Sequence, residues 1–352
     1  MLHPDEPRRV SISSSLPMSE ANTSIASRNS RYLNGAKFVV AIVLVVFVIS
    51  RTNLEQLRGV FERLSAWGVI LYFILFILTA VVKAFQYHIV IGRDVAYSRI
   101  LNVVVMQNAI SNFFAASAGV ASYFTLFKVE HQVKVSRAMV TFVLTKVGDL
   151  IVIWCLLAIS ASWVWTDIGA LQGLVIALLA GMGLFIGVFF LTVIYRQKIS
   201  ALVKIILGKM NLLRFSPIQR GMDVLEALAN QQQENVLQKM TAVVEGSFLY
   251  LVVTLAWLYA GLRIFDIHLT LGGFAFSSAL YYLISYLPIQ IFGGIGVTEM
   301  SLLYLYGIFS PSQAELAAVL IGLRIFSYIM NLALLLYLPL YEAYWKTPEL
   351  RS

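Results

Sequence analysis

Apolar residues along this chain occur in runs of helical length, separated by short polar connections. An apolar run of about 20 residues crosses a bilayer as a helix, which satisfies its own backbone hydrogen bonds in the hydrocarbon. None of the runs shows the alternation of a barrel strand. The pattern therefore predicts an all-α polytopic membrane protein. The predicted membrane segments are 38–50, 66–91, 100–121, 138–161, 169–195, 241–264, 271–291, 294–309 and 313–341.

Two places in this pattern are interrupted. The stretch MQNAISNFFAASAG at 106–119 carries amides and small residues, which suit a broken helix beside a wet cavity better than a lipid-facing span. The stretch LPIQIFGGIGVTEM at 287–300 places a proline and a Gly-Gly-Ile-Gly run ahead of Glu299. We therefore expect about six full spans plus two re-entrant broken-helix hairpins. The predicted structural hinges are Gly119, Pro288, Gly293, Gly294 and Gly296.

The two interrupted regions are spaced alike relative to a cation in the next apolar segment. Lys146 follows Gly119 by 27 residues, and Arg324 follows Gly296 by 28 residues. This spacing indicates an inverted repeat with halves at about 66–161 and 241–341, as in transporters with discontinuous helices. Chance is the alternative, because glycine is common in membrane helices.

The polar segments predict the remaining organisation and the orientation. Residues 1–36 are polar and serine-rich, and we expect a disordered cytoplasmic tail before a single transmembrane domain at 37–345. An amphipathic and polar connection at 196–240 is expected on the cytoplasmic surface. If 100–121 is a hairpin, 20 lysines and arginines lie inside and 4 outside; if it crosses fully, the numbers are 15 and 9. The positive-inside rule favours the hairpin and a cytoplasmic N-terminus, in the cell (inner or plasma) membrane.

Composition excludes several classes of function. The chain has 352 residues, of which 59% are hydrophobic and 12% charged. The net charge of +8 fits loops that face anionic lipid headgroups rather than a nucleic-acid surface. Cys155 is the single cysteine, and the sequence contains neither an HExxH nor a Walker motif. We therefore predict no metal, no cofactor and no enzymatic activity.

Four charged residues fall inside predicted membrane segments, where a charge is costly and usually faces a cavity or a partner. They are Lys146, Asp149, Glu299 and Arg324. Glu299 follows the glycine break, where a helix N-terminus would favour a carboxylate and Thr298 could cap it. Lys83, nearer a predicted span end, is expected to extend to the membrane surface.

Two interpretations of these charges stay open at this point. In the structural one, Lys146 pairs with Asp149 and Glu299 with Arg324. In the functional one, the two cations coordinate an anionic headgroup on a path through the membrane, because arginine binds phosphate through its fork and lysine acts as a point charge. The predicted substrate-binding residues are Lys146, Arg324, Glu299, Asp149, Asn112 and Gln290.

The segment from Leu287 to Glu299 resembles the Pro-Ile…Gly-x-Gly-x-x-Glu signature of the lysylphosphatidylglycerol synthase transmembrane-region family. The stretch NFFAASAG resembles the first motif of that family, and LTKVGDL resembles the helix that follows it. The resemblance covers most of 66–341. Two positions depart from the family pattern: Val120 and Tyr123 stand where an acidic residue and an arginine are common.

The resemblance implies a flippase-like membrane domain without the soluble synthase domain. We expect it to move an anionic or zwitterionic lipid, a glycolipid or an aminoacyl-phospholipid between leaflets. The alternatives are a membrane-embedded transferase acting on a lipid carrier and a non-transporting membrane assembly partner. Membrane lipids are the predicted partners, with a second copy of the chain or lipid-biosynthesis enzymes as further candidates, and no nucleic acid.

Overall fold

The computed structural model describes residues 64–92, 94–129, 133–209, 233–286, 296–310 and 312–341. The predicted tail at 1–36, the predicted span at 38–50 and much of the connection at 196–240 lie outside the described residues. So do four of the predicted site residues, which are Pro288, Gln290, Gly293 and Gly294.

The described chain is built from α-helices joined by short turns, as the all-α prediction requires. In chain order the helices are α1 (Ala66–Ile91), α2 (Tyr97–Phe113), α3 (Ala116–Val129), α4 (Val135–Trp163), α5 (Gln172–Ile194), α6 (Arg196–Lys209), α7 (Gln233–Ile264), α8 (Leu271–Ser285), α9 (Val297–Gly307), α10 (Gln313–Leu335) and α11 (Tyr337–Tyr341). A 3-10 turn at Gly169–Leu171 precedes α5.

Five stretches of this fold are long and apolar enough to cross a membrane: Ala66–Ile91, Val135–Trp163, Gly169–Ile194, Gln238–Ile264 and Glu315–Pro339. They coincide with five of the spans that the hydrophobic pattern predicts. A polytopic helical membrane protein is thereby confirmed. The sixth predicted span, at 38–50, belongs to the undescribed part of the chain.

The first interrupted segment is a helical hairpin. Helices α2 and α3 are separated by Phe114 and Ala115, and they pack closely against each other. The break therefore lies at these two residues and not at the predicted hinge Gly119, which lies inside α3. Gly119 serves the packing instead, since a Cβ atom there would lie 2.8 Å from the backbone oxygen of Gln107.

The second interrupted segment also folds back on itself. The Ser277 hydroxyl donates to the Leu305 carbonyl oxygen at 2.9 Å, and the Ser278 hydroxyl lies 3.0 Å from the Tyr306 hydroxyl. Nearer the base, Gly273 packs against the Phe309 ring. As the residue number rises on α8 it falls on α9, so the two helices are antiparallel.

The two hairpins enter from opposite faces, and α4 shows this because it crosses from one face to the other. At its start, Arg137 donates to the Ile91 carbonyl oxygen and to the Asp94 carboxylate, beside the base of the first hairpin. At its end, a Cβ atom on Gly272 would lie 3.0 Å from Val164, beside the base of the second hairpin. Each half is thus a span, a hairpin and a span: α1 to α4, then α7 to α10.

The contact at the start of α4 is an exposed ion pair. Arg137 Nη1 lies 2.6 Å from Asp94 Oδ2, and this hydrogen bond holds the pKa of the Asp94 carboxyl below its usual value. The Arg137 guanidinium also packs against Gly92. Gly92 has a positive φ of 106°, which favours glycine. The pair connects the turn after α1 to the start of α4.

Each half contains its own packed apolar cluster, while α5 lies at the edge. One apolar cluster joins α1, α2, α3 and α4, and another joins α7, α8, α9 and α10. Helix α5 instead exposes large apolar side chains along its length, including Leu184, Phe185 and Leu191. Such a surface is suited to lipid.

Candidate functional site

A cavity of about 290 Å³ lies between the two hairpins. Ser111, Asn112 and Ala116 line it from the first tip, and Thr298 and Glu299 line it from the second. The remaining wall comes mainly from α1, α7, α8 and α10. Both halves therefore contribute to one central cavity, as the inverted repeat predicts.

Glu299 is held at the start of α9. Gly296 is the N-cap residue, with a positive φ of 82°, and its backbone N–H donates to Glu299 Oε2 at 2.6 Å. The helix dipole and this hydrogen bond both favour the carboxylate. The predicted capping role of Thr298 is wrong, because Thr298 is the second residue of α9 and not its N-cap residue.

Arg324 and Glu299 lie next to each other in the wall of the cavity. Arg324 Nε lies 3.5 Å from Glu299 Oε1, and the two side chains are only 15% and 8% exposed. The Arg324 guanidinium also lies 5.0 Å from the centroid of the Tyr328 ring. The structure thus brings together the cation and the carboxylate that the sequence singled out in the second half.

Asn112 connects the tip of the first hairpin to α10. Its Nδ2 donates to the Ser327 hydroxyl at 3.5 Å, and the neighbouring Phe113 stacks on Tyr328 with ring centroids 5.7 Å apart. The first hairpin therefore rests on the last span of the other half. This contact places Asn112 beside Ser327, which lies about one helical turn from Arg324 on α10.

Aromatic side chains form much of the cavity wall. Tyr72 stacks on Trp257 at a centroid distance of 5.4 Å, and Phe76 lies 5.6 Å from the same indole. Three tyrosines of the wall are Tyr250, Tyr281 and Tyr282. Trp257 Nε1 is buried and donates to no acceptor among the described residues. The described cavity wall is thus largely aromatic, with one ion pair in it.

A second buried ionic cluster, which the sequence did not predict, lies between α1, α4 and α7. Lys83 Nζ lies 2.6 Å from Asp149 Oδ2, and Gln86 and Ser247 donate to Asp149 Oδ1 at 2.9 Å each. Lys83 also lies 4.5 Å from the Tyr250 ring centroid. The expectation that Lys83 extends to the membrane surface is wrong, since the residue is 8% exposed.

Lys146 lies near the second cluster, where it interacts electrostatically with Lys83 and Asp149. Its ammonium is 4.6 Å from the Tyr286 ring centroid and 5.8 Å from that of Phe142, and it does not line the central cavity as described. Tyr286 follows α8 at the tip of the second hairpin. The predicted pairing of Lys146 with Asp149 is replaced by the contact between Lys83 and Asp149.

Of the predicted substrate-binding residues, the structure brings Glu299, Arg324 and Asn112 to the central cavity. It places Asp149 in the cluster with Lys83 and places Lys146 beside Tyr286. One sequence signal pointed to the missed cluster: Lys83 and Gln86 are polar residues three apart, so they share a helix face within an otherwise apolar run.

The architecture defines a helical membrane protein built from two inverted halves, each with a re-entrant hairpin. Residues 35–334 match the model of the family described as Lysylphosphatidylglycerol synthase TM region, and the chain belongs to this family. The match confirms the resemblance carried by the motif around Glu299. No curated protein and no solved structure matches the chain.

Proposed function

We propose that the protein is a lipid flippase, which moves a lipid headgroup through the central cavity while the acyl chains remain in the membrane. The observation that carries this proposal is the meeting of two oppositely inserted hairpins at one cavity with the Glu299–Arg324 pair in its wall. Discontinuous helices that meet near the bilayer midplane are the usual substrate sites of transporters with inverted repeats. The family of the chain supports a lipid-related substrate.

Arg324 is the residue we assign to the headgroup phosphate. A guanidinium forms directed, charge-assisted hydrogen bonds to phosphate oxygens, each of which contributes about 1.5–3 kcal/mol. In this scheme Glu299 compensates Arg324 when the cavity is empty, and Asn112 offers an amide at the first hairpin tip. The protein provides a path and performs no chemistry on the lipid.

Replacement of Arg324 with alanine is expected to slow lipid movement by roughly 10–100-fold. The reason is that the barrier to movement rises by the energy of one such hydrogen bond. The measurement uses purified protein in liposomes with fluorescent phospholipids, where dithionite reports the fraction in the outer leaflet. Mass spectrometry of the recovered lipids tests for chemical modification, which would favour a transferase.

The matched control is Arg263→Ala, since Arg263 is an exposed arginine near the end of α7. It should leave the rate unchanged. Rates no higher than in empty liposomes for every lipid class would contradict the flippase proposal.

We also propose that the face where α4 begins is cytoplasmic, with the N-terminus on the same side. Within the described part of the chain, one arginine, Arg263, lies on the opposite face. The described lysines and arginines on the proposed cytoplasmic face include Arg99, Lys128, Lys134, Arg137, Lys198, Lys204 and Lys239. The positive-inside rule assigns the richer face to the cytoplasm.

Cysteine labelling in intact cells checks this orientation. In a Cys155→Ala background, Arg263→Cys should react with a membrane-impermeant maleimide. Lys134→Cys should react only after the membrane is permeabilised. The reverse pattern would overturn the assigned orientation.

A further inference from the structure

We propose that Glu299 sets the headgroup selectivity of the central cavity, so that zwitterionic phospholipids are moved in preference to anionic ones. This inference rests on the proposed flippase function and narrows its substrate class. It comes from the balance of charge in the cavity wall.

The described lining of the cavity carries one charge of each sign. Arg324 and Glu299 are the charged side chains among the described lining residues, one of each sign. Beside the wall at Tyr250, the charge of Lys83 is compensated by Asp149 at 2.6 Å. The segment 287–295, which joins α8 to α9, contains no ionisable residue. Lys146 interacts electrostatically with Lys83 and Asp149 and lies outside the described lining.

A lining with one charge of each sign treats the two classes of headgroup differently. An anionic headgroup whose phosphate binds Arg324 leaves the Glu299 carboxylate buried without a cation, and an unpaired buried charge is costly. A zwitterionic headgroup exchanges partners instead: its phosphate takes Arg324 and its ammonium takes Glu299. One ion pair is then replaced by two, and no charge remains unpaired.

The aromatic wall supports the same assignment. Cations are attracted to the faces of tryptophan and tyrosine rings, more strongly where water is excluded. Trp257, Tyr72 and Phe76 are among the residues that line the cavity.

The local structure allows the charge of Glu299 to be removed without removing its hydrogen bond. The Gly296 N–H donates to Glu299 Oε2 at 2.6 Å, and the amide oxygen of a glutamine can accept the same bond. The substitution Glu299→Gln therefore tests charge while keeping the start of α9 intact.

The experiment compares phosphatidylethanolamine, which is zwitterionic, with phosphatidylglycerol, which is anionic, in liposomes that contain the purified protein. We expect the native protein to move the ethanolamine lipid faster by roughly tenfold or more, because the anionic lipid leaves one buried charge unpaired. Glu299→Gln should lower this rate ratio to about one or invert it, since Arg324 then attracts an anion without competition.

A second variant keeps the inference testable if Glu299→Gln does not fold. Arg324→Gln should raise the ratio of the phosphatidylethanolamine rate to the phosphatidylglycerol rate, because the remaining Glu299 carboxylate repels the anionic headgroup. Glu315→Gln, which removes a carboxylate outside the described cavity lining, is the matched control and should leave the ratio unchanged.

Equal rates for the two lipids in the native protein, or the native ratio in both cavity variants, would overturn this inference and leave the flippase proposal standing. Absence of movement for every lipid would contradict the flippase function itself and remove this inference with it.

Discussion

Replacement of Lys83 with methionine is expected to lower the free energy of unfolding by about 3–5 kcal/mol, because it leaves the Asp149 carboxylate buried without its cation. Asp149 is 5% exposed and Lys83 is 8% exposed, so water does not replace the lost partner. Methionine keeps a similar length and an apolar stem, which limits the loss of packing. This is the largest loss of stability that we expect from a single substitution.

The measurement is the midpoint of thermal unfolding in detergent, followed by the intrinsic tryptophan fluorescence. The double variant Lys83→Met, Asp149→Asn should recover most of the loss, because it removes both charges and keeps an amide for Gln86 and Ser247. Lys128→Met, at an exposed lysine of α3, is the matched control. An equal midpoint for Lys83→Met and the control would show that the cluster does not stabilise the fold.

Replacement of Gly119 with leucine is expected to stop lipid movement almost completely, because the two helices of the first hairpin must separate to accept a side chain. A Cβ atom at this position would lie 2.8 Å from the Gln107 backbone oxygen and 2.9 Å from Ser111 Cβ. Such overpacking costs about 1–3 kcal/mol or more. Separation of the helices also displaces Ser111 and Asn112 from the cavity, and small displacements of binding groups reduce rates by about 100-fold.

The matched control is Gly187→Leu in α5, where a Cβ atom meets nothing within 4 Å. It makes the same substitution on a lipid-facing helix and should leave both transport and thermal stability near native values. Native rates in Gly119→Leu would mean that the close approach of α2 and α3 is dispensable.

The spans and hairpins could be predicted because their signals are local. A helix of 26 residues such as Ala66–Ile91 shows its apolar length directly in the sequence. The hairpin at 100–121 was predicted from amides and from the count of cations on each face. Its break was misplaced at Gly119, because a glycine needed for close packing and a glycine needed for a turn look alike in a sequence.

The site was predicted in part for a related reason. Glu299 stood out because a carboxylate follows a helix break, and Arg324 because it lies deep in a span. The partner of Asp149 could not be predicted, since Lys83 is 66 residues away and the pairing depends on how α1 packs against α4. Lys146 was assigned to the cavity because sequence gives its depth in the membrane but not the direction in which its side chain projects.

Each hairpin contacts a span of the opposite half, and this affects how the two halves can move. The tip of the first hairpin rests on α10 through Phe113 and Tyr328, and the tip of the second lies beside Lys146 of α4 through Tyr286. Each half therefore contacts the re-entrant hairpin of the other half. In the proposed flippase, we expect a rocking motion of one half against the other to move both hairpins together, so that the cavity opens towards one leaflet as it closes towards the other, as alternating access requires.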